Sequence, residues 1–252
     1  MRRINKGPQP PGLQKYGSKQ GKYLDMGQTL KDELRQALYD AQFGECAYCC
    51  APLNPDEVII DRRAGTRTVN KGNTRIEHFH PRAKRVVDKL ACSSESGVPI
   101  NGDPQVAWSN LLLCCAGDEL NKPPSHCDAS KQETDICGPF KNPSLVATGH
   151  DLLVTMRADG YLAVRPEVFV NCAGGHPAAQ RVVDEVLNLN STQLKQRRST
   201  QVMALWKEYQ RLARAKQSRA EAKRIVLNNL PQSPPFVQAV FSDWVNNGGS
   251  FA

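Results

Sequence analysis

The sequence has no apolar run long enough to cross a bilayer. Its longest, such as Leu111–Cys115, fall far short of the roughly 20 residues that a spanning helix needs. The N-terminus is basic but lacks the apolar stretch of a secretory signal, so a cytoplasmic enzyme is the expectation. No internal repeat is visible, which argues against a repeat architecture. Acidic residues are missing where bases gather. None precedes Asp25, while Arg2, Arg3, Lys6, Lys15, Lys19 and Lys22 all do. Between Lys195 and Arg224, ten Lys/Arg face only Glu208 and Glu221. The net charge of +8 is therefore clustered, and clustered positive charge suits a polyanion, because each neutralised phosphate releases counterions. A merely solvated helical face is the competing reading.

Cysteine is plentiful. Nine in a chain with no export signal point to metal ligation rather than disulfides, and the odd count leaves at least one thiol unpaired under any disulfide scheme.

Along the chain, residues 1–22 carry Gly7, Pro8, Pro10, Pro11, Gly12, Gly17 and Gly21 among lysines and read as an extended arm. Thr29 can cap a helix running to about Phe43, and Cys46-Ala-Tyr-Cys49 follows as a tight knuckle. Thr74–Phe79 reads as a short strand broken by Pro81, Trp108–Cys115 as a compact apolar segment, and Ala129–Thr134 as a short helix. Beyond Pro139, Leu152–Met156 and Tyr161–Val164 bracket Asp159-Gly160, a hairpin signal. Helices are expected through Val182–Leu189, from Thr192 with Leu194, Val202, Leu205, Tyr209 and Leu212 as its buried stripe, and over Val237–Val245. Trp206 and Trp244 read as packing residues, and His150 and His176 receive no role. The two apolar stripes, more than one helix needs to pack on its own domain, suggest a docking surface in this half.

Three groups of residues could carry chemistry. Cys46 and Cys49 can hold adjacent corners of a tetrahedron around Zn²⁺, to be closed by Cys114 or Cys115 together with Cys127. Cys50, Cys92, Cys137 and Cys172 read as buried or incidental thiols. In Glu77-His78, ending a strand, the histidine can deprotonate a water while the carboxylate holds a divalent cation against a phosphate. Asn110, followed by Cys115 and then His126-Cys127-Asp128-Ala-Ser-Lys131, completes the set.

In order, residue type and rough spacing this set resembles the zinc-containing HNH endonuclease motif, CxxC, (Asp/Glu)-His, Asn-Leu-x-x-x-Cys, Cys-x-x-x-Lys. The resemblance implies an α+β fold with a zinc-containing ββα-metal core, an N-terminal helix and a mainly helical C-terminal region. It selects Cys115 over Cys114, giving Cys46, Cys49, Cys115 and Cys127 as ligands of a structural Zn²⁺, with His126 the nearest rival for the last place. His78 would be the general base, Asn110 would fix the imidazole or its loop, and Glu77 and Asp128 would hold a catalytic Mg²⁺ or Mn²⁺. Arg82, Lys84 and Lys131 are the expected nucleic-acid contacts. His80 stands where closer relatives often have Arg, and Asp128 where many have His or Asn.

A looser likeness covers most of the chain. The opening Met-Arg-Arg-Ile-x-Lys, the Glu77–Arg82 run, the His126–Lys131 half and Leu187–Lys195 are similar to the HNH component of Septu-type anti-phage systems (PtuB-like). That likeness implies a toxic effector controlled by an ABC/SMC-like ATPase of the PtuA type, in some systems with a retron reverse transcriptase and its DNA–RNA hybrid. The expected divisions are a basic arm over 1–28, a zinc-stabilised nuclease core over 29–138, and a hairpin plus helical region over 139–252 for docking partner or substrate. An inactive zinc-stabilised nucleic-acid adaptor, or an HNH enzyme of restriction or mobile-element type, would share these residues. Inactive relatives usually lose the base or the metal carboxylate, and this chain keeps both.

Overall fold

The computed structural model describes residues 1–18, 22–53, 57–61, 66–70, 74–82, 103–117, 125–146, 151–215, 218–229 and 235–246, with backbone alone at 18, 57–61, 66–70 and 229. Lys84, Cys92 and His150 lie outside them. The fold is α+β. Helices α1 (Pro11–Ser18) and α2 (Gln28–Ala41) precede strands β1 (Glu57–Asp61), β2 (Thr66–Asn70), β3 (Thr74–His78) and β4 (Leu111–Cys115). The one-turn helix α3 (Asp128–Lys131) follows, then β5 (Val154–Met156), β6 (Leu162–Val164), α4 (Pro166–Phe169) and α5 (Gly175–Arg181). The chain closes on α6 (Thr192–Arg214), α7 (Arg219–Asn229) and α8 (Pro235–Asn246). Among the described residues the strands pair antiparallel in three two-stranded sheets, β1–β2, β3–β4 and β5–β6. No helix among them is long and apolar enough to cross a membrane.

Helix α2 begins two residues earlier than expected, with Gly27 rather than Thr29 at its cap, and buries Leu34 and Leu38. It ends where Phe43 and Gly44 take positive φ, the Gly44 N–H returning to the Tyr39 carbonyl at 2.9 Å. Gln42, just past the helix, reaches the middle of β4. Its side-chain amide donates to the Leu113 carbonyl and accepts from the Leu113 N–H, each at 2.8 Å.

The N-terminal segment is not an extended arm. Met1, Ile4 and Leu13 are buried, Arg2 bridges to Leu152, and the Arg3 and Ile4 N–H groups donate to Asp151 and Pro143 carbonyls at 2.9 Å. The apolar residues are sparse, which hid them among Gly, Pro and Lys, but burial of each is worth on the order of 1.5–3 kcal/mol.

The C-terminal half follows its expected elements. Both apolar stripes are used internally: Val182, Val183, Leu187 and Leu189 join Leu194, Val202, Leu205 and Leu212 in one core cluster that also holds α8 and the N-terminal residues. The surplus expected for docking is thus absorbed by the fold itself. Trp206 packs edge-on to Trp244 at 6.3 Å, and Trp244 donates to the Met156 carbonyl at 2.9 Å.

The β5–β6 hairpin turns at Gly160, whose φ is +83° and where a Cβ would lie 1.9 Å from the Lys195 carbonyl oxygen. Gly160→Ala should therefore cost about 2–5 kcal/mol, summing left-handed strain and overpacking against backbone. Urea denaturation of the variant checks this, and a midpoint equal to wild type would refute the close approach of hairpin and α6.

Candidate functional site

Strands β3 and β4 pair Thr74 with Cys115 at one end and His78 with Leu111 at the other. Each end carries a cluster of chemically active side chains.

At the first end, Cys46 and Cys49 come from a turn in which the Cys46 N–H bonds the Ala51 carbonyl and the Cys50 N–H bonds the Cys46 carbonyl, at 2.9 and 3.0 Å. Cys115 ends β4, and Cys127 precedes α3 with a φ of +56°. The Sγ atoms of Cys46 and Cys127 are 3.8 Å apart, those of Cys49 and Cys115 3.7 Å, and all four lie within 4.8 Å of one another. Thiolates at the ~2.3 Å Zn–S bond length of a tetrahedron are separated by ~3.8 Å, and the Cys46–Cys127 and Cys49–Cys115 pairs stand at that separation. All four are buried, where thiolates need a cation to offset their lost hydration. The group could hold a structural metal such as zinc.

Cys114 lies outside the four-sulfur group. So does His126, whose Nε2 stands 3.6 Å from the Cys115 sulfur. The run Leu187–Lys195 braces this end: the Cys127 N–H donates to the Leu187 carbonyl at 2.9 Å, and the Asn188 amide to the Ser125 carbonyl at 2.8 Å.

A cleft of about 260 Å³ runs along β3 from Thr74 to His78 at the other end, lined also by Tyr23, Arg82, Asp128 and Lys131. The His78 Nε2 is 2.9 Å from the Gln105 carbonyl oxygen. A carbonyl can only accept, so Nε2 carries the proton and Nδ1 keeps its lone pair. Burial, first, and nearby Arg82 and Lys131 bring the imidazole down to about 4, so it is neutral at pH 7. Tyr23 meets the ring edge-on at 4.6 Å.

Glu77 is buried. Its Oε1 receives the Lys131 ammonium at 2.9 Å and the Tyr48 hydroxyl at 3.1 Å, and its carboxyl stands in hydrogen-bonding range of Asp128. Burial, reinforced by Asp128, pushes Glu77 up to about 8 against the pull of Lys131. Asp128, the first residue of α3, lines the cleft beside it.

Lys131 is only 1% exposed and bonds Glu77 and, at 3.1 Å, the His78 carbonyl. The expected phosphate contact is thus an internal counter-ion, because the single turn of α3 brings its last residue back beneath the end of β3. Arg82 does face the cleft, its guanidinium 5.5 Å above the Tyr23 ring.

Asn110 does not touch the imidazole; it holds the loops around it. Its Oδ1 accepts the His80 N–H at 2.7 Å, and its Nδ2 donates to the His80 and Pro104 carbonyls at 3.0 and 2.8 Å. It thereby fixes both the segment leaving His78 and the residue preceding Gln105.

Sequence reasoning missed Tyr23, Tyr48, Gln105 and Lys6. Lys6 is enclosed, donates to the Trp108 carbonyl at 2.7 Å and to that of Leu111, and is lowered to about 7 by burial, bracing the turn that carries Asn110. Two of these had a signal: Tyr48 lies inside the Cys46–Cys49 knuckle, and Lys6 closes the opening Met-Arg-Arg-Ile-x-Lys run.

Compared with known protein families, with characterised proteins and with solved structures, the chain shows no significant match.

Proposed function

We propose that the chain is a metal-dependent HNH endonuclease that hydrolyses phosphodiester bonds in nucleic acid, with β3, β4 and α3 as its ββα-metal core. The observation that carries this reading is a neutral histidine, tautomer fixed through Gln105, in one cleft with the Glu77–Asp128 carboxyl pair. His78 Nδ1 would take the proton from the attacking water. Glu77 and Asp128 offer the oxygen donors that Mg²⁺ or Mn²⁺ prefers, and the bound cation would supply charge neutralisation at the scissile phosphate. Arg35, Arg75 and Arg82 line the same cleft and suit the flanking phosphates. Lys131 keeps the carboxyl pair from carrying two uncompensated charges.

The Septu-like features add a partner ATPase and a defensive, toxic role, with or without a retron reverse transcriptase. Exposed bases on α6 and α7, among them Arg211 and Arg224, each paired one turn away with Glu208 and Glu221 respectively, are what remains for a polyanion or an acidic partner once the apolar stripes are spent.

The test is to purify the tagged chain with whatever its neighbouring genes encode and assay the complex on plasmid DNA and on RNA. Cleavage should require Mg²⁺ or Mn²⁺, and Asp128→Asn should lower it about 10²-fold or more while zinc content stays normal. A complex that binds nucleic acid but never cuts it would make the chain an adaptor. Asp128→Asn cutting at the wild-type rate would remove the assigned metal ligand.

A further inference from the structure

A third group of donors lies beside the cleft and outside the chemistry above. His80, two residues beyond His78, is buried, as is Cys137, while Asp135 keeps 16% side-chain exposure. The His80 Nδ1 is 3.4 Å from Asp135 Oδ2 and 3.5 Å from Cys137 Sγ, and all three donor atoms lie within 4.8 Å of one another.

Hydrogen bonding accounts poorly for this convergence. An imidazole nitrogen makes one in-plane bond, donating or accepting, yet a carboxylate and a thiol both approach the same Nδ1. The 3.4 Å separation is also longer than an ordinary N–H···O bond of about 2.7–3.2 Å. A tetrahedral zinc ion predicts both distances. With bonds of ~2.3 Å to sulfur and ~2.0–2.2 Å to nitrogen and oxygen, the N···S edge is ~3.6 Å and the N···O edge ~3.4 Å. The other carboxylate oxygen of Asp135 is held by the Cys137 N–H at 2.9 Å, an outer contact that orients Oδ2 toward the histidine.

We infer that His80, Asp135 and Cys137 form a second metal site, taking a borderline divalent cation such as Zn²⁺ with water at its fourth position. One nitrogen, one oxygen and one sulfur match zinc better than Mg²⁺, which demands oxygen, or Cu⁺, which favours sulfur. The partial exposure of Asp135 leaves a way in for the water. The site ties the segment leaving β3, the strand bearing the base, to the segment beyond α3, the helix bearing Asp128, while the four cysteines tie the turn after α2 and the end of β4 to the start of α3. It does not depend on the nuclease reading.

Elemental analysis of the zinc-loaded, desalted full chain tests it. The wild type should carry a second equivalent of zinc beyond the four-cysteine ion. Asp135→Asn, which keeps an oxygen for the Cys137 N–H, and Cys137→Ser should each lose only that equivalent. The loss in affinity should exceed the about 10–100-fold typical of outer contacts. Cobalt substitution is the second readout: Cys137→Ser should remove one thiolate-to-cobalt absorption component and leave that of the four-cysteine site. A wild-type protein holding a single equivalent, or Asp135→Asn retaining both, would overturn the assignment.

Discussion

Cys49→Ser should leave the protein unfolded or aggregated at ordinary temperature. Structural zinc supplies roughly 10–16 kcal/mol of apparent binding free energy in small sites, comparable with the whole 5–15 kcal/mol by which a typical domain is stable. Cys49 lies 3.7 Å from Cys115, so its loss opens the link between the turn after α2 and the end of β4. Chelation should have the same effect, because it removes that binding free energy and leaves the turn and β4 joined by hydrogen bonds such as those of Gln42 and Ala47 to Leu113. Cys50→Ser is the control: that thiol is buried next door but outside the four-sulfur group, so zinc should stay bound and the melt should drop only modestly. Circular dichroism and zinc content together decide the matter. A Cys49→Ser protein with normal melt and full zinc would defeat the four-cysteine assignment.

His78→Ala separates chemistry from folding. On the proposed nuclease reading, loss of the general base costs about 10²–10⁴-fold in rate, and cellular toxicity should vanish with it. Some stability will go too, since the Nε2–H bond to Gln105 and the contact with Tyr23 are both lost. About 1–3 kcal/mol is the expected scale, with the Gln105 carbonyl left to find water. Zinc content should not change. His78→Ala cleaving as fast as wild type would show that another group takes the proton.

The four-cysteine group was readable in two steps: tetrahedral coordination lets Cys46 and Cys49 share a turn, and the resemblance to the HNH motif, through its spacing from Asn110, singled out Cys115. The hairpin at Gly160 and the stripe of α6 were equally legible, since each is set by local periodicity. What escaped the sequence was long-range. Lys131 reads as a surface cation until α3 proves to be one turn long, and His80 and Cys137 meet across 57 residues with no spacing rule to predict it. The N-terminal segment failed for a different reason: a few apolar residues among glycines and prolines carry no period, yet each fills a place in the core. The resemblance-based roles of His78, Glu77 and Asp128 rest on the cleft that collects them, and their test is kinetic.

The amide of Gln42 has a consequence beyond holding α2 to β4. A two-stranded sheet leaves an open edge on each side, and an open edge invites a strand from another molecule. At Leu113 that invitation is withdrawn, because a side chain stands in for the missing strand and satisfies both its N–H and its carbonyl. The Ala47 N–H adds a further bond to the same carbonyl at 3.0 Å. The centre of β4, buried along its whole length, is therefore closed to self-association along this edge as soon as α2 is in place.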